Sequence, residues 1–197
     1  MENFLYLKKN SLSKELCNII IKKFDEDCEC KYRGVTSGGL NIDTKDTFDF
    51  QIPNSNNKNF ESWKLIRETL ENELNSNIKI YIQTLSKSIH KDFKLFEDGC
   101  VTNETFQIQK YIKNNGKFTY HHDFSVEYCE KKHRVITFIY YLNDVNEGGE
   151  TEIWGNVKIK PECGKLLLFP ACWTFPHSGL VPKSNHKYII TGWLYMH

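Results

Sequence analysis

The sequence predicts a mainly β protein in which N-terminal helices support a C-terminal β core. Two observations predict this fold class. After residue 100, short runs rich in β-branched and aromatic residues alternate with turn sequences, which is typical of a sandwich or a barrel. Before residue 100, apolar residues recur every three or four positions over long stretches, which indicates amphipathic helices.

Two helical patterns lie in the first hundred residues, after a weakly alternating stretch at 4–7 that predicts a short strand. Ser13 is a suitable N-cap for a helix that continues to about Asp25, because its hydroxyl can accept from a free backbone N–H of the first turn. From Trp63 to Ile89 the apolar positions predict a long amphipathic helix, or two joined helices. Its apolar stripe should pack on a sheet.

The segment between the two helical patterns is irregular. Residues 28–59 contain glycine and proline breakers, and within them only residues 46–52 have the composition of a strand. The glycine-containing part around residues 33–50 is a candidate lid over a binding site, with an ordinary surface loop as the alternative.

The second half of the chain contains the strand-like runs. They are residues 105–112, 134–142, 150–154, 165–169 and 188–195. Turn sequences such as Glu147-Gly148-Gly149 separate them. We expect residues 1–197 to fold as a single domain, in which residues 1–100 provide helical support and the candidate lid and residues 101–197 form the β core.

Charge and composition argue against several classes of partner. The net charge is +1, so no strong field attracts nucleic acid or an anionic membrane. The three arginines, Arg33, Arg67 and Arg134, are few for a reader of DNA sequence. No window reaches the ~20 apolar residues that a membrane helix needs. We expect neither a nucleic-acid nor a membrane partner, and the sequence does not indicate an oligomeric state.

The cysteines predict a reducing compartment. There are seven, an odd number, and no secretory signal precedes them. Cys28 and Cys30 are too close together for the usual zinc spacing, and no second pair accompanies them, so free thiols are the favoured interpretation. We therefore expect a cytoplasmic protein.

The stretch Tyr120-His121-His122-Asp123 contains two candidate metal ligands. On a strand, residues i and i+2 face the same side, so His121 and Asp123 can share an ion while His122 points away. An imidazole and a carboxylate together suit Fe(II), Mn(II) or Zn(II). The alternative is an ordinary surface pair, since this short motif also arises by chance.

His177 is the best-placed third ligand, because it lies between two β-rich runs in the sequence FPHSGL. The other histidines lie in the helical region, beside charged residues or next to the last strand. Two histidines and one carboxylate would form a facial triad that leaves three coordination positions open. Open positions distinguish a catalytic metal from a closed structural one.

Lys187 follows His177 by ten positions, across the turn at residues 182–185. Either a plain hairpin or a turn that steps between facing sheets could bring the two side chains together. A cation beside an open metal site can anchor a dianionic cosubstrate, and a buried lysine would need such an anion as its partner. The alternative is a solvated charge on a strand edge.

Five segments together resemble the Fe(II)/2-oxoglutarate dioxygenases of the prolyl 4-hydroxylase type in order and spacing. They are QKYIKNNGKFTYHHD, RVITFIYYLND, EGGETEIWG, GKLLLFP and HSGLVPKSNHKYIITGW. The resemblance covers residues 105–196, and NSLSKELCNIII near the start is similar to the opening helix of that family. It implies a double-stranded β-helix, the cupin-like jelly roll, with iron held between its two sheets.

The resemblance also implies residue roles and cofactors. His121, Asp123 and His177 would bind iron and carry the catalysis, and Lys187 would pair with the distal carboxylate of 2-oxoglutarate. Five more residues would line the cosubstrate pocket: Tyr111, Tyr141, Thr151, Thr191 and Ile139. Trp193 would lie near the substrate. The cofactors implied are Fe(II), 2-oxoglutarate as cosubstrate and O2, with L-ascorbic acid as a further candidate.

The function implied is that of an oxidoreductase that hydroxylates an unactivated C–H bond, and the presence of Asp123 favours hydroxylation over halogenation. By analogy with the family, the substrate is a prolyl residue of a peptide or protein. One alternative is a hydroxylase of a free amino acid or small metabolite. Another is a jelly-roll protein that binds a metal or ligand without turnover. A zinc hydrolase and a nucleobase demethylase fit less well, and the latter would need an arginine after His177, where there is none.

Overall fold

The computed structural model describes residues 2–26, 31–97 and 99–196, which form two helices, one 3-10 turn and fourteen strands. The helices are α1 (Lys14–Glu26) and α2 (Phe60–Ile89), and the 3-10 turn spans Glu2–Phe4. The strands are β1 (Tyr6–Lys8), β2 (Tyr32–Arg33), β3 (Lys45–Asp46), β4 (Phe48–Gln51), β5 (Val101–Asn103), β6 (Gln107–Tyr111), β7 (Lys117–His121), β8 (Val126–Glu127), β9 (Lys132–Tyr141), β10 (Thr151–Ile153), β11 (Val157–Ile159), β12 (Leu166–Pro170), β13 (His177–Gly179) and β14 (Lys187–Met196).

The strands form two antiparallel sheets. The large sheet has nine strands, with β1-β12-β9-β14-β6-β4-β2 in order, β5 added beside β14 and β8 beside β9. The small sheet has five strands in the order β11-β10-β13-β7-β3. Some strands that follow each other along the chain lie in different sheets, as β13 and β14 do. The prediction of a mainly β jelly roll supported by helices is confirmed.

The first hundred residues contribute more than helices. Four of their short strands join the sheets: β1, β2 and β4 extend the large sheet, and β3 forms an edge of the small sheet. The predicted strand at residues 46–52 is thus divided between the sheets, with Lys45–Asp46 in one and Phe48–Gln51 in the other. The sequence did not indicate this division, because both pieces are too short to show a clear alternation.

Both predicted helices are present. The backbone N–H of Leu16 donates to Ser13 Oγ at 3.1 Å, so Ser13 caps α1 as expected. The second pattern forms one continuous helix rather than two. None of the helices within the described residues is long and apolar enough to cross a membrane.

The apolar residues form two cores. The helices pack on the outer face of the large sheet, where Trp63 lies with its ring centre 5.0 Å from that of Phe50. The second core lies between the two sheets and includes Tyr111, Tyr141 and Phe169. Because the helices cover the outer face, the inner face of the large sheet is left to form the wall of a cavity.

The cysteines that the structure describes, which do not include Cys28 and Cys30, are free thiols. They are Cys17, Cys100, Cys129, Cys163 and Cys172. Cys28 and Cys30 lie outside the described residues, so their predicted state as free thiols stays a prediction.

We expect the apolar stripe of α2 to carry much of the stability of the fold. Leu70 is fully buried against the sheet, whereas Leu65, on the same helix, is 77% exposed. Leu70→Ala should lower the free energy of unfolding by about 2–5 kcal/mol, because it leaves a cavity in a packed core. Leu65→Ala should change it by less than about 0.5 kcal/mol. Urea unfolding of both variants measures the difference, and equal losses would contradict the packing described.

Candidate functional site

The antiparallel pairing of β7 with β13 brings two histidines together. His121 ends β7 and His177 begins β13, and the two are direct cross-strand partners. Their ring centres are 4.2 Å apart. Asp123 lies two residues beyond the end of β7, where the chain has left the sheet, and its side chain is buried beside both rings.

The three side chains form one cluster. The Nε2 atom of His121 lies 3.8 Å from Asp123 Oδ1, and that of His177 lies 3.5 Å from Asp123 Oδ2. One potential ligand atom from each residue lies within 4.8 Å of the other two. These separations suit three ligands around one ion. The structure thus places His121, Asp123 and His177 together, and His122 is exposed as the i, i+2 pattern predicts.

Backbone carbonyls orient both imidazoles. His121 Nδ1 lies 2.8 Å from the Thr119 carbonyl oxygen, and His177 Nδ1 lies 3.0 Å from that of Phe175. A carbonyl oxygen can only accept, so each ring carries a proton on Nδ1, and Nε2 is the atom left to bind a metal when the ring is neutral. Both Nε2 atoms face Asp123. This arrangement is the outer support that metal-binding histidines usually have.

The protonation states also suit metal binding. Burial, and then the neighbouring His177, lower the pKa of His121 to about 4. Burial would raise the pKa of Asp123, but His177, His121 and the hydroxyl of Thr137, which donates to Oδ2 at 2.8 Å, outweigh it and hold the pKa below its usual value. At neutral pH the cluster therefore offers a neutral His121 and an ionised carboxylate, the forms that bind a metal.

The cluster opens into a cavity of about 490 Å³ between the sheets. Lys187 lines this cavity. It begins β14 in the large sheet, whereas His177 belongs to the small sheet, so the turn at residues 182–185 steps between facing sheets. The sequence had left this arrangement and the plain hairpin as alternatives.

Lys187 is a buried lysine, and the attraction of Glu150 only partly compensates the burial of its charge. Its side chain is 1% exposed, its Nζ donates to the Gly149 carbonyl oxygen at 2.9 Å, and it lies 4.0 Å from the centre of the Tyr111 ring. No carboxylate in the described part of the chain forms an ion pair with it. Burial lowers the pKa of Lys187 to about 7. An anion in the cavity would supply the missing partner.

The predicted pocket residues divide into two groups. Tyr111, Ile139, Thr151 and Thr191 line the cavity together with Lys187. Tyr141 lies behind Thr151 instead, where its hydroxyl donates to Thr151 Oγ1 at 2.7 Å. This bond leaves the Thr151 proton available to a group in the cavity. The Thr191 hydroxyl donates to the Phe138 carbonyl oxygen at 2.9 Å, so Thr191 has already used its proton.

Trp193 lines the same cavity together with Arg134, which was not predicted from the sequence as a site residue. The guanidinium carbon of Arg134 lies 3.6 Å from the centre of the Trp193 ring. Arg134 Nε is buried without a hydrogen-bond partner among the described residues. The Trp193 side chain interacts with the Asp123 carboxylate and helps to hold the pKa of Asp123 below its usual value. The only sequence signal for Arg134 as a site residue was its position within a β-rich run, because one face of that strand had to line the core.

The candidate lid forms part of the cavity wall. We call residues 31–46 the flap; its residues Val35, Thr36 and Ser37 lie at the cavity. The flap is held by Lys45, which donates to Asp49 Oδ2 at 2.7 Å, an ion pair with both side chains buried. Gly34 permits the close approach, because a Cβ there would lie 2.1 Å from Thr47 Oγ1. The sequence did not indicate this ion pair.

We expect Lys187 to make stability depend on pH. Its folded-state pKa of about 7 lies below the ordinary value of 10.5, so between these values the unfolded chain binds more protons than the folded chain. The free energy of unfolding therefore gains up to about 1.4 kcal/mol per pH unit from this residue as the pH rises. Lys187→Met should remove that gain in urea unfolding between about pH 7.5 and about pH 9.5. Lys183→Met, at a 62% exposed side chain, should keep the wild-type slope. Equal slopes for wild type and Lys187→Met would refute this account of Lys187.

Comparison with known proteins supports the resemblance. Residues 106–195 match the sequence model of the 2OG-Fe(II) oxygenase superfamily. A search of curated proteins found no match to this sequence.

Solved structures of prolyl hydroxylases have the same fold. The viral collagen prolyl hydroxylase of Paramecium Bursaria Chlorella virus-1, in complex with 2OG, aligns over 98% of this chain and 97% of its own, with a TM-score of 0.68 and 17% identity. The prolyl hydroxylase of Trichoplax adhaerens, in complex with a hypoxia inducible factor peptide fragment, aligns over 98% and 84%, with a TM-score of 0.69 and 18% identity. A prolyl-4-hydroxylase from Pseudomonas putida aligns over 96% and 91%, with a TM-score of 0.63 and 14% identity. Residues 106–195 are therefore similar in sequence to the 2OG-Fe(II) oxygenase superfamily, and the chain has the fold of the prolyl hydroxylases.

Proposed function

We propose that the protein hydroxylates a prolyl residue of a peptide or protein, with Fe(II), 2-oxoglutarate and O2. One observation is the main support for oxygenase chemistry at this site. A cluster of two histidines and a carboxylate shares a cavity with a buried lysine that has no ion-pair partner among the described residues. A metal and a carboxylate anion would together satisfy the groups that the cavity leaves unsatisfied.

Iron would be held by His121 Nε2, His177 Nε2 and the Asp123 carboxylate. The donor set fits the ion, because mixed nitrogen and oxygen ligands with open positions suit Fe(II). When bound, the iron would supply the activation of O2 that protein side chains cannot provide. The Thr137 hydroxyl holds the Asp123 carboxylate in place, and the carbonyls of Thr119 and Phe175 hold the rings.

Lys187 would bind the distal carboxylate of 2-oxoglutarate. The ammonium has donors left after its single bond to the Gly149 carbonyl, and Thr151 has a free proton at the same end of the cavity. Tyr111 lies beside the lysine, and Ile139 offers an apolar wall. Tyr141 would act through Thr151 and not touch the cosubstrate.

The part of the cavity lined by Arg134 and Trp193 would receive the substrate. Arg134 and Trp193 stack there, and the buried Nε–H of Arg134 has no hydrogen-bond partner among the described residues. Peptide carbonyl oxygens are acceptors that suit such donors. The half-exposed Val35 and Phe124 also line the cavity and offer apolar contact to residues that flank the target.

A feature of the cavity disfavours a free amino acid as substrate. Among the described lining residues Asp123 is the only acid, and it belongs to the metal cluster. The ammonium group of a free amino acid would therefore be buried without a counter-ion, which is costly. A peptide avoids this cost, because its nitrogen is an uncharged amide.

Three further expectations accompany this proposal. We infer that residues 1–197 act as one unit, because strands from both parts of the chain share each sheet. A cytoplasmic location is supported by the free thiols of the described cysteines. A requirement for ascorbate stays a prediction, tested by its effect on turnover.

Anaerobic titration tests the cofactor site. Fe(II) and then 2-oxoglutarate are added to the metal-free protein, and the visible charge-transfer band of the iron chelate is followed. We expect the band in wild type, its loss in His177→Ala, and an affinity for 2-oxoglutarate at least about tenfold weaker in Lys187→Met, since a buried charged pair is lost. Lys183→Met is the matched control. Iron binding without any band would favour a jelly-roll binding protein that does not turn over.

A substrate assay tests the prolyl specificity. Proline-containing peptides and free L-proline are incubated with the loaded enzyme, and the gain of one oxygen atom is followed by mass spectrometry together with succinate. We expect hydroxylated peptide and no product from the free amino acid. Arg134→Gln should raise the KM for peptide by about tenfold, because a charge-assisted hydrogen bond is lost, and leave the affinity for 2-oxoglutarate unchanged. Product from free proline but not from peptide would refute the proposal.

A further inference from the structure

Four side chains form a continuous hydrogen-bonded chain along one wall of the cavity. Gln107, Gln109 and Tyr111 alternate along β6, so all three face the cavity. Tyr111 Oη is bonded to Gln109 Oε1 at 3.1 Å, and Gln109 Nε2 to Gln107 Oε1 at 2.8 Å. Gln107 Nε2 is in turn bonded to Tyr32 Oη at 2.9 Å. We call these four residues the glutamine ladder.

The ladder connects the proposed 2-oxoglutarate site with the flap. Its inner end is the Tyr111 ring, 4.0 Å from Lys187 Nζ, and its outer end is Tyr32, which is 38% exposed on the flap. Between these ends Gln109 is 4% exposed, so water cannot readily replace a partner that it loses. An apolar residue at position 109 would have packed in the same space without any of these bonds. The buried amide therefore calls for an explanation beyond packing.

The hydrogen bonds of the ladder can run from donor to acceptor in either of two directions. An amide has a donor and an acceptor, and a half-turn of the group exchanges them. In one direction Tyr111 donates to Gln109. In the other, Tyr32 donates to Gln107, Gln107 to Gln109 and Gln109 to Tyr111 Oη. Only the second direction leaves the Tyr111 proton free to point into the cavity, and every bond of the ladder is kept.

We propose that Gln109 is a positioning residue that couples the anion beside Lys187 to the flap through the glutamine ladder. A carboxylate only accepts hydrogen bonds, so it favours the direction in which Tyr111 donates to it. A charged acceptor at one end of such a chain polarises the bonds behind it and strengthens them. The outermost of these bonds holds Tyr32. Binding of 2-oxoglutarate would thus tighten the flap over the cavity where the substrate is expected. The inference rests on the proposed binding of 2-oxoglutarate at Lys187.

The experiment uses the full chain loaded with Mn(II), so that no turnover occurs, with 2-oxoglutarate as the probe. Calorimetry gives the dissociation constant of 2-oxoglutarate, and hydrogen exchange followed by mass spectrometry gives the protection of residues 31–46 with and without it. In wild type we expect 2-oxoglutarate to slow exchange in the flap. In Gln109→Leu we expect binding about fivefold weaker, as for the loss of one buried hydrogen bond, and no response of the flap.

Two further variants make the result specific. Tyr32→Phe removes only the outer bond, so it should bind 2-oxoglutarate within about twofold of wild type while the response of the flap disappears. Gln83→Leu, at an exposed glutamine of α2, should match wild type in both measurements. A merely structural role of Gln109 would change flap exchange equally with and without 2-oxoglutarate.

The outcomes separate this inference from the proposed function. If wild type does not bind 2-oxoglutarate, the proposed site is wrong and the coupling falls with it. If wild type binds it but Gln109→Leu shows wild-type affinity or a wild-type response of the flap, the coupling alone is refuted. Should Gln109→Leu fail to fold, Tyr32→Phe decides, since a flap that still responds in that variant also refutes the coupling.

Discussion

The antiparallel pairing of β7 with β13 is the constraint on which the rest of the site depends. It places His121 opposite His177, residues from distant parts of the chain, on adjacent strands of the small sheet. The register shifts directly after His177, so regular pairing ends where the two rings meet. The chain also leaves the small sheet after His121, which allows Asp123 to turn back onto both rings. A slip of one residue in this register would send the imidazoles to opposite faces of the sheet.

The second constraint is electrostatic. The space between the sheets holds the Asp123 carboxylate and the Lys187 ammonium, two charges taken out of water at a considerable cost. The hydrogen bond from the Thr137 hydroxyl compensates the first. The Lys187 ammonium contacts one backbone carbonyl, that of Gly149, and the Tyr111 ring. Such under-compensated groups lower stability and are typical of binding sites, where the ligand completes the arrangement. The packed core between the helices and the large sheet contributes folding free energy that offsets this loss of stability.

The first part of the chain supports the sheets from outside and also builds one wall of the site. Its strands β3 and β4 belong to different sheets, and the buried pair of Lys45 with Asp49 joins them across the short link. The flap is therefore attached at both ends to rigid elements, and through the glutamine ladder to the inner end of the cavity. This arrangement connects the place where a cosubstrate would bind with the place where a substrate would enter.

Much of this protein could be predicted from the sequence, because the signals are local. The periodicity of α2, the cap of α1, the five β-rich runs and the candidates His121, Asp123 and His177 can all be identified in short windows. Local spacing also explains why His122 points away from the cluster. The segments shared with the oxygenase superfamily added the expectation for Lys187, which spacing alone left between two arrangements.

Other features depend on contacts between distant segments, and no window of the sequence shows them. The step between sheets that buries Lys187, the placement of Tyr141 behind Thr151 and the stacking of Arg134 on Trp193 follow from which strands become neighbours. The same holds for the pairing of Lys45 with Asp49 and for the reach of Gln107 to Tyr32. The sequence by itself determined which residues could form strands, helices and ligands. Only the tertiary structure decided which of them meet, because strand pairing and burial are set by the free energy of the whole fold.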